Sequence, residues 1–176
     1  MIQDKNDINR WHEKSDPWGY EASPDDLLRK EILLSEVPSE RFERVLDIGC
    51  GQGFITRDLP GGSILGVDIS EEAVNHAKKT AAPHISYLAS DLFNLTRHLG
   101  DQRYDLIVIT GVMYPQYIGH GSELVKMIID SLLQKGGVLM SVHISDWYKS
   151  RFSYPIISDC VYFYRNYHHL LEVYRK

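Results

Sequence analysis

Cysteine is scarce in this 176-residue chain: Cys50 and Cys160 are the only two, far apart in the sequence. They supply neither a disulfide framework nor metal-ligand spacing. Long hydrophobic runs are missing as well, and none approaches the roughly 20 residues of a membrane span. Nor is there a surplus of positive charge. Nineteen Lys and Arg face 24 Asp and Glu, for a net charge of −5, which argues against nucleic acid as a partner because phosphate binding wants a basic face. The opening MIQDKNDINRWHEKSD is polar and lacks the apolar core of a signal peptide, so the expected compartment is the cytoplasm. Repeats and low-complexity linkers are lacking. What is present is ordinary: 43% apolar and 24% charged residues, in a length that suits one domain.

Along the chain, two periodicities alternate. SPDDLLRKEILLSEV reads as a helix: Ser23 caps it, Pro24 fits its first position, and Asp25 and Asp26 sit at its positive end. Leu27, Leu28, Ile32, Leu33 and Val37 supply an apolar stripe. RVLDIG is a strand, followed by a short helix through GFITRDL. SILGVD is a second strand, SEEAVNHAKKT a helix capped by Ser70, and HISYLA a third strand. DLFNLTRHL is a short helical connection. YDLIVIT, almost continuously apolar, reads as a strand buried on both faces. SELVKMIIDSLLQKGG is expected to be a helix capped by Ser122 and stopped at Gly136-Gly137, before a fifth strand in VLMSVHI. The tail carries Tyr148, Tyr154, Tyr162, Tyr164 and Tyr167 and ends in a last strand, LLEVYRK. Strands alternating with helices imply an α/β fold, a Rossmann-like doubly wound, mostly parallel sheet of six or seven strands with helices on both faces.

The end of the first strand gives up its side chains. In VLDIGCGQG, glycines recur at Gly49, Gly51 and Gly53. A dinucleotide fingerprint is G-x-G-x-x-G; here Phe54 stands where its third glycine belongs, which weakens a pyrophosphate reading and a nicotinamide oxidoreductase with it. Asp47, two residues before the first glycine, is a poor neighbour for phosphate and a good one for a cation. Asp68, ending the second strand, can accept two hydrogen bonds from ribose hydroxyls. Asp91, after the third strand, either accepts an adenine amine or caps the helical turn that follows. Ile69 and Leu92 can sandwich the ring. An adenosine with positive charge and no phosphate points to S-adenosylmethionine. Cys50, inside the loop, reads as a small residue that fits the turn.

VLDIGCGQG, ILGVDIS, YLASDLF and YDLIVITGVMY followed by LLQKGGVLM resemble, in order, the motifs of class I SAM-dependent methyltransferases. The likeness runs from about Arg44 to Ile144. SDPWGYEASPDDLLRKEILL and the tyrosine of TGVMYPQY resemble the rhizobial nodulation-factor N-methyltransferases. That resemblance implies a single domain: a lid and helix over residues 1–40, a cofactor core over 44–144, and an acceptor-side tail over 145–176. It also implies an acceptor that is a small polar molecule, an amino sugar or another saccharide. A different small molecule remains an alternative, as does a SAM-binding partner protein without catalysis.

Trp18 and Tyr20 then either cover the cofactor from a lid or anchor the first helix. Thr110 and Gly111 end the fourth strand, where the methyl group would emerge. Methyl transfer from a sulfonium needs alignment above all, and a base only to expose a lone pair. Tyr114 and His143 are the candidates for that role, His143 on condition that strand alternation does not turn it into the sheet. His168 and His169 are neighbours on a strand and point to opposite faces, so they are not a metal pair; nothing in the sequence requires a metal. The tail tyrosines form either a stacking surface for a sugar or an aromatic cover for a sheet edge.

Overall fold

The computed structural model describes residues 3–147 and 152–176. Seven strands form one sheet: β1 (Arg44–Ile48), β2 (Ser63–Asp68), β3 (Ile85–Ala89), β4 (Tyr104–Thr110), β5 (Leu133–Ile144), β6 (Ile156–Tyr164) and β7 (Tyr167–Arg175). Their order is β3-β2-β1-β4-β5-β7-β6. The first five are parallel, and β7 runs antiparallel to both β5 and β6. The winding direction reverses between β1 and β4, which opens a crevice at their carboxyl ends.

Alternation along the central strands builds two cores. Val45, Leu106, Val108 and Met140 face α2 (Pro24–Ser35) and α3 (Glu71–Lys78). Leu46, Ile107, Ile109 and Leu139 face α4 (Leu95–Leu99) and α6 (Ser122–Leu132). Both faces of the central strands are therefore dry, as the apolar run of YDLIVIT requires. The predicted caps of α2 and α3 form: Ser23 accepts from Asp26 N at 3.3 Å and Ser70 from Ala73 N at 3.2 Å. Among the described residues, no helix is long and apolar enough to cross a membrane.

Four local expectations are corrected. Leu27 and Leu28, expected on the apolar stripe of α2, are exposed, whereas Asp26 in its first turn is buried. Asp26 accepts from the Tyr164 hydroxyl and pairs with Arg165 at 3.1 Å. The expected helix through GFITRDL shrinks to a 3₁₀ turn over Thr56–Asp58. Ser122 does not cap α6: Gly121 holds the cap position and offers no side chain. Nor does that helix run to Gly136-Gly137, because Leu133 already pairs with Tyr104 of β4. The two glycines lie within β5, where Gly136 takes φ +79 and donates to the Lys176 carbonyl.

The tail contributes a hairpin rather than a lone strand, so the sheet has seven strands. Its tyrosines divide. Tyr154 donates to Asp130, Tyr162 and Tyr164 pack under α2, and Tyr167 meets Trp147 edge-on. Tyr148 lies outside the described residues. Two further helices, α1 (Lys5–Trp11) and the single turn α5 (Pro115–Ile118), have no counterpart in the sequence reading.

Candidate cofactor and acceptor site

A cavity of about 530 Å³ occupies the crevice at the carboxyl ends of β1 and β4. Its floor is the glycine loop. The amides of Gly49 and Cys50 donate to the Val67 carbonyl at 2.8 and 3.0 Å, which ties the loop to β2. All three glycines have positive φ, yet they do different work. A Cβ on Gly49 would meet Val112 at 2.3 Å, and one on Gly53 would meet the Tyr87 hydroxyl at 2.4 Å. These two are forced by protein packing. Gly51 has nothing nearer than His12 at 4.0 Å, so it alone keeps open space above the backbone. Gly49 and Gly51 line the cavity and Gly53 does not. The cofactor contact expected of Gly53 is thus corrected to a packing role behind the wall.

The acidic residues gather here. Asp68 receives Ser70 N at 2.9 Å on one oxygen and Gly51 N at 2.8 Å on the other. A carboxylate has about four acceptor sites, so lone pairs remain for a ribose hydroxyl. Burial raises its pKa, with the amides of Ser70, Gly51 and Ile69 and the charge of His12 opposing. Asp47 is 1% exposed and accepts from the Thr56 hydroxyl at 2.6 Å. Burial, with the charge of Asp68 adding, pushes its carboxyl up to about 6. Asp91 takes the cap role, accepting from Phe93 N at 2.8 Å, and also lines the cavity beside Leu92, near Ile69.

Thr110 and Gly111 line the opposite wall. So does Tyr114, whose buried hydroxyl accepts from Ile144 N at 2.8 Å. His143 does not. Alternation along β5 turns it to the face opposite the cavity-lining Val142, and there it is buried. The base role expected of His143 is corrected accordingly.

The roof is the N-terminal segment. Trp18 and Tyr20 are stacked at 5.5 Å and both line the cavity. Asp16 orders them by accepting from Tyr20 N at 2.9 Å and Glu21 N at 3.0 Å, and it holds Gln52 of the glycine loop at 2.9 Å. Sequence reading missed the rest of this roof. Helix α1 docks on α3 through Ser70–Asn9 at 2.8 Å, Lys5–Glu71 at 2.7 Å and His76–His12 O at 3.1 Å. It brings Ile8, Trp11 and His12 into the lining; their i, i+3, i+4 spacing was the available signal. Two other missed residues carry no such signal. Arg29 lies between the Tyr20 and Tyr164 rings, 5.2 and 5.1 Å from their centroids, and His169 closes the far end beside Val142.

The charges are thus segregated. Asp47 and Asp68 form an anionic floor suited to a cationic ligand, and Arg29, paired with the buried Asp26 at 3.5 Å, keeps an Nε that makes no hydrogen bond among the described residues, a donor suited to a carboxylate. Open backbone at Gly51 and spare lone pairs on Asp68 fit a nucleoside with free ribose hydroxyls. Among the described residues, no group of three or more His, Cys, Asp or Glu is arranged to hold a metal ion.

Comparison with known proteins agrees with this geometry. The family described as a methyltransferase domain matches residues 39–171. A probable cobalt-precorrin-6B C(15)-methyltransferase (decarboxylating) from Saccharolobus solfataricus is 30% identical over 116 residues, 61% of this chain and 56% of that protein. A trans-aconitate 2-methyltransferase from Escherichia coli is 32% identical over 119 residues, 65% of this chain and 44% of that protein. The chain therefore spans about half the length of the curated relatives it matches. The fold matches the N-methyltransferase NodS from Bradyrhizobium japonicum in complex with S-adenosylhomocysteine, with a TM-score of 0.82 at 20% identity, covering 98% of this chain and 97% of that one. Magnesium protoporphyrin IX methyltransferase from Synechocystis with bound S-adenosylhomocysteine matches at a TM-score of 0.71 and 15% identity, over 99% and 100% of the two chains.

Proposed function

The chain belongs to the methyltransferase-domain family, and on that premise we propose that it is an enzyme moving a methyl group from S-adenosylmethionine to a small polar acceptor, an amino sugar or related saccharide. The observation that carries the cofactor is the pairing of Asp68 with Gly51: a carboxylate with lone pairs to spare beside the one glycine of the loop that leaves room for a ligand. In this reading residues 1–40 form lid and first helix, residues 44–144 the cofactor core, and residues 145–176 the acceptor side.

The cofactor, when bound, supplies an already activated methyl carbon on a sulfonium whose leaving group is a neutral thioether. Asp68 holds the ribose. Ile69 and Leu92 flank the adenine, with Asp91 beside its amine. Asp47 favours the cationic end, Arg29 the carboxylate, and Thr110 and Gly111 bound the space where methyl and acceptor meet. Trp18 and Tyr20 close over them and exclude water, so the charged groups act in a drier, less screened space. Alignment of this kind supplies roughly 7 to 11 kcal/mol of a bimolecular barrier. Support for an amino-sugar acceptor comes from the aromatic cluster that runs from the cavity-lining Tyr114 to the exposed Trp147 and Tyr167, whose rings meet edge-on at 5.6 and 5.1 Å, and from the fold shared with NodS.

The test is calorimetric titration with S-adenosylhomocysteine, followed by methyl transfer to glucosamine and chitobiose. Micromolar binding is expected, weakened at least tenfold in Asp68→Ala by loss of charge-assisted hydrogen bonds. Binding that Asp68→Ala leaves unchanged removes the cofactor assignment.

A further inference from the structure

The cavity's far end holds an imidazole placed for proton transfer. His169 lies on β7 opposite Ile144 of β5 and Tyr162 of β6, at the carboxyl edge of the parallel strands. It is buried and lines the cavity beside Tyr114, Val142 and Arg29. Its Nδ1 stands 3.3 Å from the Tyr167 carbonyl oxygen. A carbonyl only accepts, so Nδ1 carries the proton, and in the neutral ring the lone pair resides on Nε2. That nitrogen makes no hydrogen bond among the described residues. The ring cannot swing freely: Tyr162 stacks on it at 5.6 Å and Tyr164 meets its edge at 5.2 Å.

We propose that Nε2 of His169 takes the proton from the nucleophilic N–H or O–H group of the acceptor. This rests on the methyl-transfer reading above. In the step, the acceptor's lone pair forms the bond to the methyl carbon. The methyl–sulfur bond breaks with its electron pair on sulfur, and the acceptor's proton passes to Nε2, later to solvent. The products are methylated acceptor, neutral thioether and an imidazolium that must discharge.

The surroundings keep the base ready. Burial lowers the pKa of His169, and the Arg29 guanidinium lowers it further, against the raising effect of the Tyr167 carbonyl. Of the other titratable neighbours, Tyr162, Tyr164 and Tyr114 all have raised pKa values and are neutral phenols at pH 7. Asp26 is engaged by Arg165, Arg29 and Tyr164. Tyr114 is a poor competitor for the role, since its oxygen already accepts from Ile144 N and its proton is held more tightly than usual. A base at this point narrows the acceptor to an amine or a hydroxyl, because a carboxylate attacks without losing a proton.

Two measurements test this. The first is long-range ¹H–¹⁵N NMR of the full chain labelled with ¹⁵N-histidine, free and with S-adenosylhomocysteine, using His169→Asn for assignment. Expected is a neutral Nδ1–H tautomer at pH 7, with a midpoint below the ordinary value near 6.5. An Nε2–H tautomer, or a charged ring at pH 7, overturns the proposal without any acceptor in hand. The second uses the acceptor found to be methylated. Asn at this position can still donate to the Tyr167 carbonyl but cannot take the proton. His169→Asn is expected to lower kcat by about 10² to 10⁴-fold, to abolish the acid limb of its pH profile, and to keep S-adenosylhomocysteine affinity. An unchanged kcat and acid limb overturn the proposal. Failure of the intact protein to bind S-adenosylhomocysteine instead overturns the methyl-transfer reading, while the NMR result still decides where the lone pair lies.

Discussion

At the scale of single residues, the three glycines of VLDIGCGQG are not interchangeable. Gly53 faces Tyr87 and Gly51 faces empty space. Gly53→Ala combines a positive-φ penalty with overpacking and is expected to cost roughly 2 to 4 kcal/mol in urea unfolding. Gly51→Ala carries only the backbone penalty of about 1 to 2 kcal/mol, but its methyl projects toward the cavity and is expected to weaken S-adenosylhomocysteine binding strongly. Equal effects of the two substitutions on both measurements contradict this division. The sequence marked all three as ligand glycines because spacing reports where backbone must be bare. It does not report whether ligand or protein fills the space.

At the scale of elements, the site is assembled from pieces that arrive from opposite ends of the chain. The roof depends on Asp16, whose carboxylate caps the turn before Tyr20 and grips Gln52 in the floor. On the acceptor side, Arg165 of the β6–β7 turn donates to the Trp18 carbonyl at 3.2 Å, which ties the tail hairpin to the same roof. Gln52→Ala cuts the link between roof and glycine loop. One side-chain hydrogen bond is worth about 1 kcal/mol, so S-adenosylhomocysteine affinity is expected to fall about fivefold and proteolysis in the segment from Lys5 to Lys14 to speed up. An unchanged cleavage rate counts against the latch. This roof was only half legible. Trp18 and Tyr20 stood out as aromatics, whereas α1 is a seven-residue helix with no buried residue of its own, and short helices depend on tertiary support.

At the scale of the whole molecule, protonation couples folding to the site. His12 and His169 both have lowered pKa values, chiefly from burial. The unfolded chain then binds more protons, so their contribution to stability is full above the ordinary histidine value near 6.5 and is lost as pH falls below it through the lowered folded values. Asp47 acts with the opposite sign. Its carboxyl rises from 3.8 to about 6, so its favourable contribution is full below 3.8 and is lost as pH rises through about 6. In the free protein above that pH, an ionised carboxylate stays buried. Asp47→Asn keeps an oxygen for Thr56 and is expected to raise stability at pH 8 by about 3 kcal/mol, with little effect at pH 4. Denaturant unfolding at the two pH values checks it; equal effects at both would deny the buried charge. The same substitution is expected to weaken binding of the cationic cofactor more than that of the uncharged thioether product.

The sequence by itself determined the parallel core, the caps of α2 and α3, and the carboxylates at the ends of the first three strands. These follow from local periodicity and from loops that only one kind of turn satisfies. Tertiary structure alone decided which face of β5 His143 took, that Asp26 is buried between Tyr164 and Arg165, and that Arg29 and His169 reach the cavity at all. Each of those depends on two segments more than a hundred residues apart meeting across the sheet edge, or on which side of a strand the core claims. Periodicity within one segment carries no record of either.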